Sequence, residues 1–308
     1  MIRLLLTPVL ALAAGCSPLK TFNAIVPKDG GVSVVARDQP FRAGPRGRLD
    51  LYAPRRTSPD ARLPVIVFFY GGSWNSGAKA GYAFVGRALA AQGFLVAVPD
   101  YRLVPEVHFP DFVEDGAAAV RWVRANARRF GGDPDRIVLA GHSAGAYNAA
   151  MLAVDERWLG PDRGAVRGFV GLAGPYAFLP LDSPVTRAAF GRAPNLDATQ
   201  PVTHAGAGDP PALLLVAGQD TLVYPRNSQR LAAALQAAGV PAEVRTYPEI
   251  GHIGILTALA RPFRGRAPVV RDMADFARAV TSERGSRTSA RMPATAEGRR
   301  LAARAGPA

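Results

Sequence analysis

An α/β fold, with a mainly parallel central sheet flanked by helices, is predicted for this chain of 308 residues by three observations. Apolar runs of strand length alternate with helical patterns along the chain, the order that crossover helices impose on a parallel sheet. One run, Ile137-Val138-Leu139-Ala140, ends in Gly141-His142-Ser143-Ala144-Gly145 and leads into the helix-like stretch Ala149-Ala150-Met151-Leu152-Ala153. Another, Val65-Ile66-Val67-Phe68-Phe69, runs into Tyr70-Gly71-Gly72-Ser73-Trp74. Such runs are continuous rather than alternating, which marks strands covered on both faces.

In chain order, Val32-Ser33-Val34-Val35 and Leu49-Asp50-Leu51-Tyr52 read as leading antiparallel strands at one edge. Strands follow at about 65 to 70, 94 to 98, 137 to 141, 167 to 172, 212 to 217 and 242 to 247, with helices near 80 to 92, 112 to 129, 145 to 154 and 226 to 238. After the strand at 94 to 98, Asp100, Arg102, Glu106, Glu114 and Asp115 place charges near strand ends, where an ion-pair network is expected to pin the long loop before the next helix. Pro175 to Pro211 breaks the rhythm with Phe178, Leu179, Leu181 and Phe190 among many Pro, Gly and Asp residues. It reads as a small cap over a pocket, a plain surface crossover being the alternative. The main domain is expected over 47–281, after a linker and edge strand over 17–46.

The two glycine-rich turns point to chemistry. In a G-x-S-x-G turn between strand and helix, the glycines let the two elements crowd together while the central serine is held in a strained conformation at the strand tip. Ser143 is therefore the candidate nucleophile. A serine hydroxyl is a poor nucleophile at neutral pH and needs a base, usually histidine, oriented by a carboxylate. Serine, acid and histidine follow one another along the chain in this type of fold. Of the four histidines, His108 precedes the turn, His142 lies within it and His204 precedes the strand expected to carry the acid. His252 remains, in Ile250-Gly251-His252-Ile253-Gly254, a glycine-flanked loop before a final helical stretch. Asp220 leaves the apolar run 212 to 217 through Gly218-Gln219 and is the best-placed carboxylate. A cap for the helix near Arg226 is its structural alternative, and Asp209 and Glu249 are weaker rivals by position.

Acyl transfer also needs N–H donors aimed at the developing oxyanion. The backbone groups of Gly72, Ser73 and Ala144 are assigned that role. Tyr70, Gly71, Trp74, His142 and Tyr147 are the candidate substrate-binding residues, with Gly71 also shaping the turn. Trp74 and Tyr147, near the mouth, either stack on an aromatic substrate or pack under the cap.

Further markers are Asp100-Tyr101-Arg102-Leu103-Val104-Pro105-Glu106 with Phe109-Pro110 and Glu114-Asp115, then Gly132-Asp133-Pro134-Asp135-Arg136-Ile137. Together with the two glycine-rich turns, over about residues 47 to 280, they resemble the esterase and lipase branch of the α/β-hydrolases, the hormone-sensitive-lipase or carboxylesterase-like group. Similar enzymes include microbial carboxylesterases, arylformamidases and prenylcysteine methylesterases. The resemblance implies an α/β-hydrolase fold, with Ser143, Asp220 and His252 as nucleophile, acid and base, and hydrolysis of small-molecule esters of short to medium acyl groups through an acyl-enzyme. An amidase such as an arylformamidase, or a noncatalytic envelope binding lipoprotein on the same scaffold, are the alternatives. One departure stands out: relatives usually have His where this chain has Tyr70, so side-chain hydrogen bonding in that loop is expected to differ.

The ends of the chain carry other signals. Met1-Ile2-Arg3, an apolar stretch to Ala14, and Leu12-Ala13-Ala14-Gly15-Cys16 resemble a bacterial lipoprotein signal, too short to span a bilayer as a stable helix. That resemblance implies lipid attachment at Cys16, the sole cysteine, and a membrane-anchored place in the cell envelope on the periplasmic side, at the outer membrane if the organism is Gram-negative. Plain secretory cleavage is the alternative. Residues 282–308 are rich in Arg among Ser, Ala, Gly and Pro and are expected to be disordered. The net charge of +13 comes almost wholly from scattered Arg, without the aromatic-interleaved patch of a nucleic-acid binder. No His or Cys cluster has metal-ligand spacing and no G-x-G-x-x-G opens a helix after the first strand, so no metal and no cofactor is implied.

Overall fold

The computed structural model describes residues 18–58 and 60–282. The signal-like segment ending at Cys16 and the arginine-rich stretch from 283 onward lie outside the described residues.

Eight strands form one sheet: β1 (Val32–Pro40), β2 (Arg48–Pro54), β3 (Leu63–Phe69), β4 (Leu95–Pro99), β5 (Gly132–His142), β6 (Val166–Leu172), β7 (Ala212–Ala217) and β8 (Ala242–Tyr247). Their order across the sheet is β1-β2-β4-β3-β5-β6-β7-β8. β1 with β2 and β2 with β4 are antiparallel, and every later pairing is parallel. The α/β class and the leading antiparallel edge are as the alternation of patterns predicts. Val65–Phe69 and Ala212–Ala217 are buried throughout, because helices cover both faces of the sheet. Those helices are α1 (Pro18–Ile25), α2 (Ala83–Ala90), α3 (Asp111–Asn126), α4 (Ala144–Val154), α5 (Glu156–Leu159), α6 (Pro184–Phe190), α7 (Arg226–Ala237), α8 (His252–Thr257) and α9 (Val269–Thr281). α9 buries Val269, Val270, Met273, Ala274 and Ala277, one face of a helix at the expected spacing.

The segment read as linker and edge strand is tied into the body. Phe22 of α1 packs edge-on against Phe84, with ring centroids 5.3 Å apart. The Asn23 amide donates to Ala80 O at 2.8 Å and accepts from Phe84 N–H at 3.0 Å. Farther along, Arg264 grips both carboxylate oxygens of Asp29 at 2.7 and 2.6 Å.

Of the charges expected to pin the loop before α3, Arg102 and Asp115 do so. Arg102 holds the buried Asp115 carboxylate through Nε at 2.9 Å and Nη2 at 2.9 Å, and Arg42 reaches the same carboxylate at 2.7 Å. Glu106 and Glu114 face solvent without an ion pair among the described residues, and Asp100 serves the glycine-rich loop instead. The segment 175–211 contains α6, started by a reciprocal Ser183–Thr186 capping box. It is fastened over α4 and the loop before α3: Tyr147 donates its hydroxyl to Thr199 O at 2.7 Å, and Phe109 N–H bonds Ala189 O at 2.9 Å.

Parallel order places the carboxyl ends of β5, β7 and β8 along one edge, and from those three ends come Ser143, Asp220 and His252.

Candidate active site

Ser143 sits between β5 and α4 with φ 55° and ψ −126°, a conformation that side-chain-bearing L residues rarely adopt. Surrounding bonds impose it. Its N–H donates to Leu172 O at 2.9 Å and its carbonyl accepts from Tyr147 N–H at 3.1 Å. The flanking glycines make the turn sterically possible. A Cβ on Gly141 would lie 2.3 Å from Gly145 O, and one on Gly145 would lie 2.1 Å from Phe69 O, so α4 starts jammed against the ends of β5 and β3.

His252 opens α8 rather than lying in a loop ahead of it. Its Nε2 is 2.8 Å from Ser143 Oγ and its Nδ1 is 2.7 Å from Asp220 Oδ2. The other carboxylate oxygen, Oδ1, accepts the N–H groups of Leu222 at 2.9 Å and Val223 at 2.8 Å. Asp220 therefore both closes its own turn and fixes the imidazole. Burial pushes its carboxyl up, but the His252 hydrogen bond, the Val223 and Leu222 N–H groups and the nearby imidazole outweigh burial and hold it below the usual carboxylate range. An ionised Asp220 accepts the Nδ1 proton, which leaves Nε2 bare toward the serine hydroxyl. The rivals are elsewhere: Asp209 is paired with Arg163 and accepts Gly206 N–H at 2.9 Å, and Glu249 is exposed.

The loop after β3 lies on the other side of Ser143. Gly71 touches the elbow: a Cβ there would be 3.0 Å from Ser143 Cβ and 2.9 Å from His142 Nδ1. Gly72, Ser73 and Trp74 have φ of 135°, 53° and 56° in succession. The N–H groups of Gly72, Ser73 and Ala144 donate to no acceptor among the described residues. Unpaired backbone donors beside a nucleophile suit a developing oxyanion.

A model described as BD-FAE matches residues 49–164, and the prolyl oligopeptidase family model matches residues 110–283, more than half of the chain. The esterase LipI of Mycobacterium tuberculosis (strain ATCC 25618 / H37Rv) is 35% identical over 244 residues, which cover 70% of this chain and 74% of LipI. This chain is an α/β-hydrolase of the carboxylesterase-like group. The probable isoprenylcysteine alpha-carbonyl methylesterase ICMEL2 of Arabidopsis thaliana is 32% identical over 258 residues, which cover 76% of this chain and 60% of that protein. The chain thus spans about 60% of the length of that methylesterase. Among solved structures, Thermogutta terrifontis esterase 2 superposes with a TM-score of 0.65 at 25% identity, covering 82% of this chain and 94% of that one.

Within this α/β-hydrolase frame, four of the substrate-binding candidates are corrected by their surroundings. Tyr70 is fully buried, stacked between Tyr101 at 4.5 Å and Tyr82 at 5.3 Å. Its hydroxyl donates to Asp100 Oδ1 at 2.9 Å and accepts from Arg46 Nη1 at 3.3 Å. Asp100 also accepts Lys79 N–H at 2.8 Å, while Arg46 donates to Gly77 O at 3.1 Å. Tyr70 is a strut that ties the glycine-rich loop to β4, out of reach of a substrate. Burial pushes its hydroxyl well above the usual tyrosine range, so it donates as a neutral phenol.

Trp74 and Tyr147 pack under the cap. Trp74 donates Nε1–H to Asn148 Oδ1 at 3.2 Å and meets Phe190 and Tyr147 edge-on at 4.8 and 5.3 Å. His142 is buried beneath His252, and its Nε2–H donates to the His252 carbonyl at 3.0 Å. Burial, with the neighbouring His252 imidazole, pushes His142 down to about 3, so it stays neutral and positions the start of α8. Gly71 lies against the Ser143 side chain.

Tyr70→Phe is expected to leave buried Asp100 and half-buried Arg46 each one partner short and to lower stability by about 2 kcal/mol, read as a lower urea midpoint at unchanged m-value. A midpoint equal to that of the parent protein would show that the Tyr70 hydroxyl does not brace this loop.

Proposed function

We propose that the chain hydrolyses carboxylic esters of short to medium acyl groups through an acyl-enzyme on Ser143. The observation that carries this reading is the continuous hydrogen-bonded line Asp220–His252–Ser143, at 2.7 and 2.8 Å, beside three unpaired N–H groups. As Ser143 Oγ attacks the ester carbonyl, His252 Nε2 takes its proton while ionised Asp220 stabilises the imidazolium. Gly72, Ser73 and Ala144 receive the oxyanion. His252 then returns the proton to the leaving alkoxide, and water, activated by the same nitrogen, releases the acid. The names of LipI and of the Thermogutta enzyme as esterases support the same reading.

A fluorophosphonate probe, combined with p-nitrophenyl esters from acetate to palmitate, tests it. One phosphonate per chain on the peptide containing Ser143 is expected, with kcat/KM highest at short chains. Labelling elsewhere would remove the assigned nucleophile, and a maximum at palmitate would remove the acyl range. Because the prolyl oligopeptidase model spans all three residues, amide cleavage is the second reading, and p-nitroacetanilide belongs in the same series.

A further inference from the structure

The two sides of the candidate catalytic centre differ in a way that bears on the substrate. Among the described residues six large apolar side chains are exposed, and three of them stand on the loop after Asp220 and on the first turn of α8 beside His252: Leu222 at 71%, Tyr224 at 50% and Ile253 at 57%. Leu222 is bound to the acid through its own N–H, at 2.9 Å from Asp220 Oδ1, and Ile253 directly follows the base. The 2.7 Å bond between Asp220 and His252 ties that loop to the start of α8. The Arg226 guanidinium lies over the Tyr224 ring, 4.6 Å from its centroid, and covers one face of that ring. Exposed apolar groups on the segments that carry a reactive centre suit a surface that a ligand covers.

The segment after β3, across β5 from the ends of β7 and β8, is packed with rings. Trp74, Tyr147 and Phe190 are buried and interlock at centroid distances of 4.8 to 5.3 Å, and half-buried Phe178 closes on Phe190 at 5.1 Å. These rings grow from the residue after the oxyanion loop, from the first turn of α4 and from the cap.

The chemistry assigns the two sides. In the tetrahedral intermediate the carbonyl carbon carries Ser143 Oγ, the oxyanion, the leaving oxygen and the acyl carbon. The leaving oxygen must lie within reach of His252 Nε2, because that nitrogen protonates it as the C–O bond breaks. With the oxyanion on Gly72, Ser73 and Ala144 and the leaving oxygen on His252, the acyl carbon is turned away from His252, toward the side where Trp74 follows the oxyanion loop.

We propose that Leu222, Tyr224 and Ile253 form the alcohol-side subsite, and that the substrates join a short acyl group to a bulky apolar alcohol, alkyl or aryl. This rests on the ester-hydrolase reading above and refines it. It is also the reverse of a methyl ester of a large acid.

Hexyl acetate and methyl heptanoate contain the same atoms with the ester reversed, so their ratio separates the two sides. Followed by pH-stat on the full chain, hexyl acetate is expected to be favoured about tenfold or more in kcat/KM. Leu222→Ser and Ile253→Ser are each expected to lower the hexyl acetate to methyl acetate ratio about threefold, and together about tenfold, mostly through KM. Both side chains are exposed, so both variants are expected to fold. A preference for methyl heptanoate, or a ratio unmoved in the double variant, overturns the subsite while p-nitrophenyl acetate turnover leaves the ester-hydrolase reading standing. Failure of every ester, p-nitrophenyl acetate included, overturns both.

Discussion

Ser143→Ala is expected to lower kcat/KM for p-nitrophenyl acetate by about 10^6-fold while changing stability by less than about 1 kcal/mol. The two halves of this expectation have separate causes. Ser143 Oγ is the sole atom removed, and its one side-chain partner is His252 Nε2, at a half-buried position where solvent replaces the lost bond. The backbone strain at φ 55° is the same for Ala as for Ser, so the fold neither gains nor loses from it. Catalysis differs because, in the proposed mechanism, the hydroxyl is the attacking atom and the acyl-enzyme cannot form without it. Asp220→Asn is expected to cost less, about 10^4-fold, since an amide in place of the carboxylate favours the wrong imidazole tautomer but leaves the nucleophile in place. The double variant is expected to be no slower than Ser143→Ala alone, because the three residues act as one unit and its loss is not additive. More than about 1% of parent activity in purified Ser143→Ala would place the nucleophile elsewhere.

How far the fold and the site were legible in the sequence depended on how local each signal was. β3, β5 and β7 are central strands covered on both faces, and their unbroken apolar runs could belong to little else. The start of β5 at Gly132, ahead of the run at 137, was not readable, because Asp133, Asp135 and Arg136 are polar, Pro134 carries no N–H for a strand ladder, and all four reach solvent. α1, α6 and α8 have eight residues or fewer, too short for a 3.6-residue period to declare itself. That Ser143, Asp220 and His252 come together was legible for a different reason: chain order and strand ends reduce four histidines to one and several carboxylates to a few. The direction of a side chain was not legible. Tyr70, Trp74, His142 and Tyr147 were singled out by closeness in sequence to the two turns, yet each points into the body, toward partners such as Arg46, Asp100, Asn148, His252 and Thr199 that tertiary structure supplies. The converse error attends Leu222 and Ile253, whose apolar character gives no hint that they face solvent beside the base.

Gly145→Ala is expected to destabilise the fold severely, and the reason joins sheet register to catalysis. The added Cβ would sit 2.1 Å from Phe69 O and 2.4 Å from Tyr70 O, far inside any carbon–oxygen contact. Relief requires the end of β3 to retreat, and it is held in place from two directions. Phe69 is in register with Gly141 in the β3–β5 pairing, and Tyr70 O accepts the buried Tyr101 hydroxyl at 2.7 Å. Retreat by α4 instead would drag Ser143 away from His252 and carry the Ala144 N–H with it. A clash between two backbones that cannot separate costs more than about 4 kcal/mol, a large share of the roughly 5 to 15 kcal/mol that holds a domain together. The expected result is insoluble protein, or a circular-dichroism melt lowered by at least about 10 °C with activity lost in step. Gly164→Ala is the matched control: a Cβ there meets nothing within 4 Å, and its melt is expected to stay within about 2 °C of the parent. A folded, fully active Gly145→Ala protein would mean that α4 and β3 can part without disturbing the serine, and the tight packing of this elbow would then have no bearing on its reactivity.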